Sequence, residues 1–109
     1  MSNKNNFTIK ETFNLAVQNH QNNNLQDAQN YYQKVLKIDP NHLAALNNLG
    51  IILTGLGESQ KAISSFEKAI ELNPNHVDAH YNLGVIFKKL EEHQKAKDCY
   101  EKAIEIDPN

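Results

Sequence analysis

The sequence predicts an all-α protein made of three antiparallel helix pairs stacked in a row. Two observations carry this. Pro40, Pro74 and Pro108 lie 34 residues apart, as do Ala28, Ala62 and Ala96, and also Asn14, Asn48 and Asn82. Within each period the apolar residues recur at helical spacing, with a polar or glycine-containing break midway and an Asp-Pro or Asn-Pro stop at the end. A fixed period with one helix pair per unit is the signature of a stacked helical repeat.

Met1 to Asn6 is polar and Asn-rich, and residues 1–8 are expected to form a frayed tail from which Phe7 can still dock. The first pair spans 9–42. Its first helix runs from Ile9 to Gln21, with Ile9, Phe13, Ala16, Val17 and His20 on one side. Asn22, Asn23 and Asn24 break it, because Asn tolerates the left-handed backbone of a tight turn. A second helix runs from Leu25 to Ile38 and stops at Asp39-Pro40, since the residue before proline is pushed out of helical geometry.

The second pair spans 43–76. Asn41 is the expected cap of a helix over His42 to Thr54, Gly55 and Gly57 make the turn, and Ser59 caps a helix that ends at Asn73-Pro74. The third pair spans 77–109. Asn75 caps, one helix runs to Leu90, and another runs from His93 to Ile106. Its turn has Glu91 where the second pair has glycine. A left-handed Glu91 costs about 1–2 kcal/mol, so a looser or differently shaped turn is expected there.

At 109 residues this is a single domain with a thin core, and 39% of residues are hydrophobic. A formal charge of −2 gives no general attraction to nucleic acid or anionic lipid. No apolar run is long enough to span a membrane, and the N-terminus lacks the apolar stretch of a secretory signal. One cysteine, Cys99, excludes an internal disulfide, and a cytoplasmic location is expected.

Aligned by period, the chain resembles the tetratricopeptide repeat, whose pattern is W-x2-L-G-x2-Y, then A-x3-F, then P. The second pair shows Leu46, Leu49-Gly50, Leu53, Ala62, Phe66, Ala69 and Pro74. The third shows His80, Leu83-Gly84, Phe87, Ala96, Tyr100, Ala103 and Pro108. The first is weaker, with Thr12, Leu15-Ala16, Asn19, Ala28, Tyr32, Val35 and Pro40. No unit has the tryptophan. The resemblance implies a right-handed solenoid of three repeats. It also implies protein or peptide binding on a concave face lined by the first helix of each pair, with no cofactor.

Carried over by position, that face holds Lys10, Phe13, Asn14, Val17 and Gln21, then Asn47, Asn48, Ile51 and Thr54. The third pair adds Asp78, Tyr81, Asn82, Val85, Lys88 and Lys89. Asn14, Asn48 and Asn82 form a ladder similar to the one in the repeats of O-linked N-acetylglucosamine transferase and its bacterial relatives. That likeness implies a grip on the backbone of an extended peptide, because each amide offers a donor and an acceptor. Asn is also simply the common residue before Leu-Gly at this position. The family's other mode, a clamp for the carboxylate tail of heat-shock chaperones, is disfavoured. Only Asn48 fits it, and the chain has no arginine.

Two further functions are weighed. Tyr100, Ala103, Ile104 and Ile106 are core-type residues with no helix after them, so the C-terminal face is a candidate for self-association. The chain also suits a substrate-recruiting arm of a larger enzyme such as a glycosyltransferase. Thr12 and Asn19, where later units carry apolar or aromatic groups, suggest a polar N-terminal cap. His76 and His80 share a helix face, but no third ligand completes a metal site. No nucleophile motif, phosphate loop or catalytic carboxylate pair is present, so no enzyme chemistry is expected.

Overall fold

The computed structural model describes residues 7–109, so the frayed segment expected at Met1 to Asn6 lies outside them. Six helices follow in order: α1 (Ile9–Gln21), α2 (Leu25–Ile38), α3 (Leu43–Gly55), α4 (Ser59–Leu72), α5 (Val77–Lys89) and α6 (His93–Ile106). They pack as the pairs α1–α2, α3–α4 and α5–α6, and the pairs join through α2–α3 and α4–α5. The product is an all-α rod of 53 × 25 × 22 Å. Among the described residues no helix is long and apolar enough to cross a membrane.

The three turns within pairs are copies of one geometry. Asn23, Gly57 and Glu91 take φ of 62°, 79° and 61°. The next N–H in each turn reaches back five residues: Asn24 to the Asn19 carbonyl, Glu58 to Leu53 and Glu92 to Phe87, at 2.8–2.9 Å. This closes a Schellman turn that satisfies the last carbonyls of the helix. The altered shape expected around Glu91 is therefore absent, because the hydrogen bonds hold the glutamate in the glycine conformation. Gly55 also differs from expectation. It is the last residue of α3, and Gly57 alone supplies the left-handed step.

The boundaries between pairs are also copies. Asp39 and Asn73 turn their side-chain oxygens onto the N–H of Asn41 and Asn75, at 3.1 and 3.2 Å. This turn across the proline takes up the asparagines that were expected to cap. The cap falls one residue later, where Nδ1 of His42 accepts from the Ala45 N–H and Nδ1 of His76 from Ala79, each at 3.1 Å. Ser59 opens α4 as its first residue, and the cap position, Glu58, makes no side-chain cap bond. α1 starts on a reciprocal pair in which Thr8 Oγ1 accepts from the Glu11 N–H and Glu11 Oε1 from the Thr8 N–H.

Small residues let the helices of a pair approach. Ala28 and Ala62 are fully buried and Ala96 nearly so. A Cβ added at Gly50 would lie 2.5 Å from Cε1 of Phe66, so the ring occupies the space that a side chain would need. Tyr32, Phe66, Ile52, Ile86 and Val35 are the largest fully buried side chains. Each contributes roughly 1.5–3 kcal/mol by leaving water.

The ends differ from expectation in which residues they expose. Thr12 is buried and its hydroxyl donates to the Thr8 carbonyl, while the Asn19 amide donates to the Leu15 carbonyl. The polar outer face of α1 comes instead from Glu11 and Gln18, both exposed. Their counterparts Ala45, Ile52, Ala79 and Ile86 are buried against the preceding pair. At the other end Ile104 is 62% exposed, whereas its counterparts Leu36 and Ile70 pack on buried clusters. Tyr100 is half-buried and Ala103 is buried. Ile106 is half-buried, and its counterparts Ile38 and Leu72 are exposed within the stack. Its exposure therefore does not mark an open end.

Candidate functional site

The first helices of the pairs, α1, α3 and α5, carry the residues singled out above. α3 touches α5 directly. On α1, Phe13 is half-buried between two rings. It meets Tyr32 edge-on at 5.7 Å and stacks on His42 at 5.0 Å. Val17 packs half-buried on the core, while Lys10, Asn14 and Gln21 are exposed. On α5, Asp78, Lys88 and Lys89 are exposed, and Tyr81 lies 5.6 Å from Tyr100.

The asparagines point back toward the preceding pair. Nδ2 of Asn48 donates to the Tyr32 hydroxyl at 3.2 Å. Burial pushes the Tyr32 phenol above its ordinary range, and the bond from Asn48 partly offsets this. The counterpart of Tyr32 in the second pair is Phe66, which has no hydroxyl to offer. Asn82 turns instead to Asn47, donating to its Oδ1 at 3.2 Å. Asn47 is buried and serves this bond, which corrects its expected place on the open surface. Asn14 has no described pair before it and lines a separate groove with Phe7, Glu11, Leu15 and Gln18. Asn14 and Asn82 thus share a register and line different hollows.

The structure does bring together Ile51, Thr54, Asn82, Val85 and Lys89. With Gly55 and the ring of Phe66 they line a cleft of about 260 Å³ between α3 and α5. Gly55 was expected in the turn and was missed as a lining residue, whereas Phe66 lies in the core, as expected, and borders the cleft from there. The signal available was the exchange of Tyr for Phe at position 66, since positions 32 and 100 are Tyr. Thr54 is held by its own helix, donating to the Gly50 carbonyl at 2.8 Å.

The histidines are committed elsewhere. His76 caps α5, and Nε2 of His80 lies 2.8 Å from the Pro74 carbonyl. Among the described residues no three His, Cys, Asp or Glu side chains gather where a metal ion could be held.

Comparison with known proteins follows the same periods. Models of the tetratricopeptide repeat match residues 10–42, 43–76 and 77–109. No curated protein matches the chain. Among solved structures, MamA superposes with a TM-score of 0.88 at 23% identity, over 93% of this chain and 59% of that one. The first tetratricopeptide domain of Spaghetti (RPAP3), solved with an HSP90 peptide, gives 0.89 at 22% identity, over 93% and 80%. YrrB, described as a tetratricopeptide protein with an unusual peptide-binding site, gives 0.90 at 28% identity, over 95% and 54%. The chain thus spans little more than half the length of MamA and YrrB. With the repeat pattern, the six-helix stack and the matched models in agreement, the chain belongs to the tetratricopeptide repeat family.

Proposed function

We propose that this chain binds an extended peptide or partner segment along the face lined by α1, α3 and α5. The observation that carries this is the cleft between α3 and α5, whose apolar walls adjoin the amide of Asn82 and the ammonium of Lys89. Apolar walls with a few placed polar groups are the ordinary make-up of a binding site. Each asparagine of the register uses one N–H internally at most. Oδ1 and the second N–H of Asn48 and Asn82 remain for a peptide backbone. The peptide-binding description of YrrB supports the reading by likeness. The HSP90 peptide of the Spaghetti domain does not transfer, because this chain has no arginine and only Asn48 of the clamp positions.

Selection from a displayed library of random peptides, followed by NMR mapping, tests the reading. Bound peptides should shift the side-chain amides of Asn48 and Asn82 and the signals of Ile51 and Val85. Peptides that map to α2, α4 and α6 instead, or no selected peptide at all, would overturn it. A substrate-recruiting arm of a larger enzyme would use this same face.

A second reading, self-association through α6, rests on the exposure of Ile104 where Leu36 and Ile70 are packed. Sedimentation of the protein across a hundredfold concentration range tests it. A dimer that Ile104→Glu converts to monomer supports it, and a monomer throughout removes it.

A further inference from the structure

We infer that the cleft between α3 and α5 selects one aliphatic side chain with an acidic residue beside it in the bound segment. The inference rests on the peptide-binding reading and names the ligand class. Size argues first. At about 260 Å³ the cleft falls below the roughly 300–1,000 Å³ of sites for whole small molecules. A space of that size suits part of a bound segment rather than a whole small molecule.

Wall chemistry argues second. Ile51 and Val85 supply apolar contact over the buried Phe66 ring, and one N–H of Asn82 donates to Asn47. At the junction of the first two pairs the corresponding place presents the Tyr32 hydroxyl and the Asn48 amide joined to each other. The missing hydroxyl at position 66 therefore leaves this junction without that polar pair.

Charge argues third. Lys89 lines the cleft and Lys88 precedes it, both exposed. Of the carboxylates that follow the turns of α3 and α5, Glu58 is paired with Lys61 and Glu92 with Lys95. Lys89 is the one charged residue among those that line the cleft, so that wall carries positive charge. Asp78 lies eleven residues away along α5, about 16 Å at the helical rise. A carboxylate next to the inserted side chain would meet Lys89 at the rim.

The test uses acetylated and amidated hexapeptides, which have no free terminal carboxylate. A glycine–serine frame carries Leu-Asp, Asp-Leu, Leu-Lys or Ser-Asp at its centre, at millimolar concentration. One of the Leu/Asp orders should shift Ile51, Val85 and Lys89 and bind at least about fivefold tighter than Leu-Lys or Ser-Asp. Lys89→Glu should invert the Asp-over-Lys preference. Phe66→Tyr restores the residue of the other two pairs and should weaken the Leu/Asp peptide while leaving the melting temperature near that of the parent. Equal binding of all four peptides with shifts at Asn48 and Asn82 would overturn the selectivity and leave the peptide reading standing. Absence of shifts anywhere on α1, α3 and α5 would overturn both.

Discussion

The Asn48 amide and the Tyr32 hydroxyl meet at 3.2 Å across the boundary between the first two repeats. Tyr32 is fully buried, so the bond ties the ring of one repeat to the first helix of the next. The asparagine ladder therefore has an internal job at this rung whatever else it binds.

Tyr32→Phe deletes that bond while keeping the ring. A net loss of about 0.5–1.5 kcal/mol is expected by urea denaturation. Asn48→Ala should cost a similar amount, and the double variant should cost less than the sum. Asn14→Ala should leave stability nearly unchanged, because Asn14 is exposed on the outer turn of the stack. It is the cleanest member of the register for separating binding from folding.

Gly50→Ala and Gly84→Ala should differ. The new Cβ at 50 meets Phe66 at 2.5 Å, and Phe66 is buried in the middle of the stack. Overpacking costs about 1–3 kcal/mol, and the better helix former returns about 1. A net loss of up to about 2 kcal/mol is expected at position 50. At position 84 the nearest atom is Tyr100 Cε1 at 2.8 Å, but that ring is half-exposed and free to shift. The loss there should stay below about 1 kcal/mol. Chemical denaturation of the two variants side by side checks the order.

Glu91→Gly should stabilise the protein by about 0.5–1 kcal/mol. Glu91 sits at φ 61°, and glycine takes that conformation without the Cβ conflict. A rise in melting temperature is the readout. A fall would mean that the glutamate makes a compensating interaction.

His42→Ala should cost more than His76→Ala. Both lose a cap worth about 0.5–2 kcal/mol. Only His42 also stacks on an aromatic ring, that of Phe13 at 5.0 Å, and such pairs add about 0.5–1.5 kcal/mol. His42→Asn should recover the cap but not the stacking. Thermal melts of the three variants give the comparison.

Burial pushes the Cys99 thiol above its ordinary range, with Asp98 and Glu67 adding to the effect. The thiolate is the reactive form, so alkylation at pH 8 should be slower in the folded protein than in urea. The unfolded thiol ionises first as pH rises. The contribution of this group to stability is therefore intact below the ordinary thiol range and is lost as pH climbs through it. Iodoacetamide kinetics against pH, folded and unfolded, measure the separation.

Much of the fold was readable because the repeat encodes each element three times. The bounds of α1, α2 and α6 follow directly from periodicity and the breaks around it. The caps were not readable by residue preference alone. Asn41 and Asn75 are better general caps than His, but the turn over the preceding proline starts each helix one residue later, so that His42 and His76 stand at the cap position. The Thr8–Glu11 pair has a sequence signature, Thr-x-x-Glu ahead of an apolar run, but the expectation of a tail over residues 1–8 passed over it. The positions of the site residues could be assigned by register, but their exposure could not. Asn47 is buried and accepts from Asn82, whose counterpart Asn48 donates to the Tyr32 hydroxyl that Phe66 lacks. That outcome depends on a residue in another helix, which helical spacing along α3 or α5 does not reveal.

The side chain of Asp107 accepts the N–H of Asn109 at 3.1 Å, matching the turns at Asp39 and Asn73. Among the described residues no α-helix follows this third bend. The same three-residue corner thus recurs at each 34-residue boundary. A unit copied or excised at these corners should keep its exit direction, which makes the 34-residue block a natural cassette for lengthening or shortening the rod.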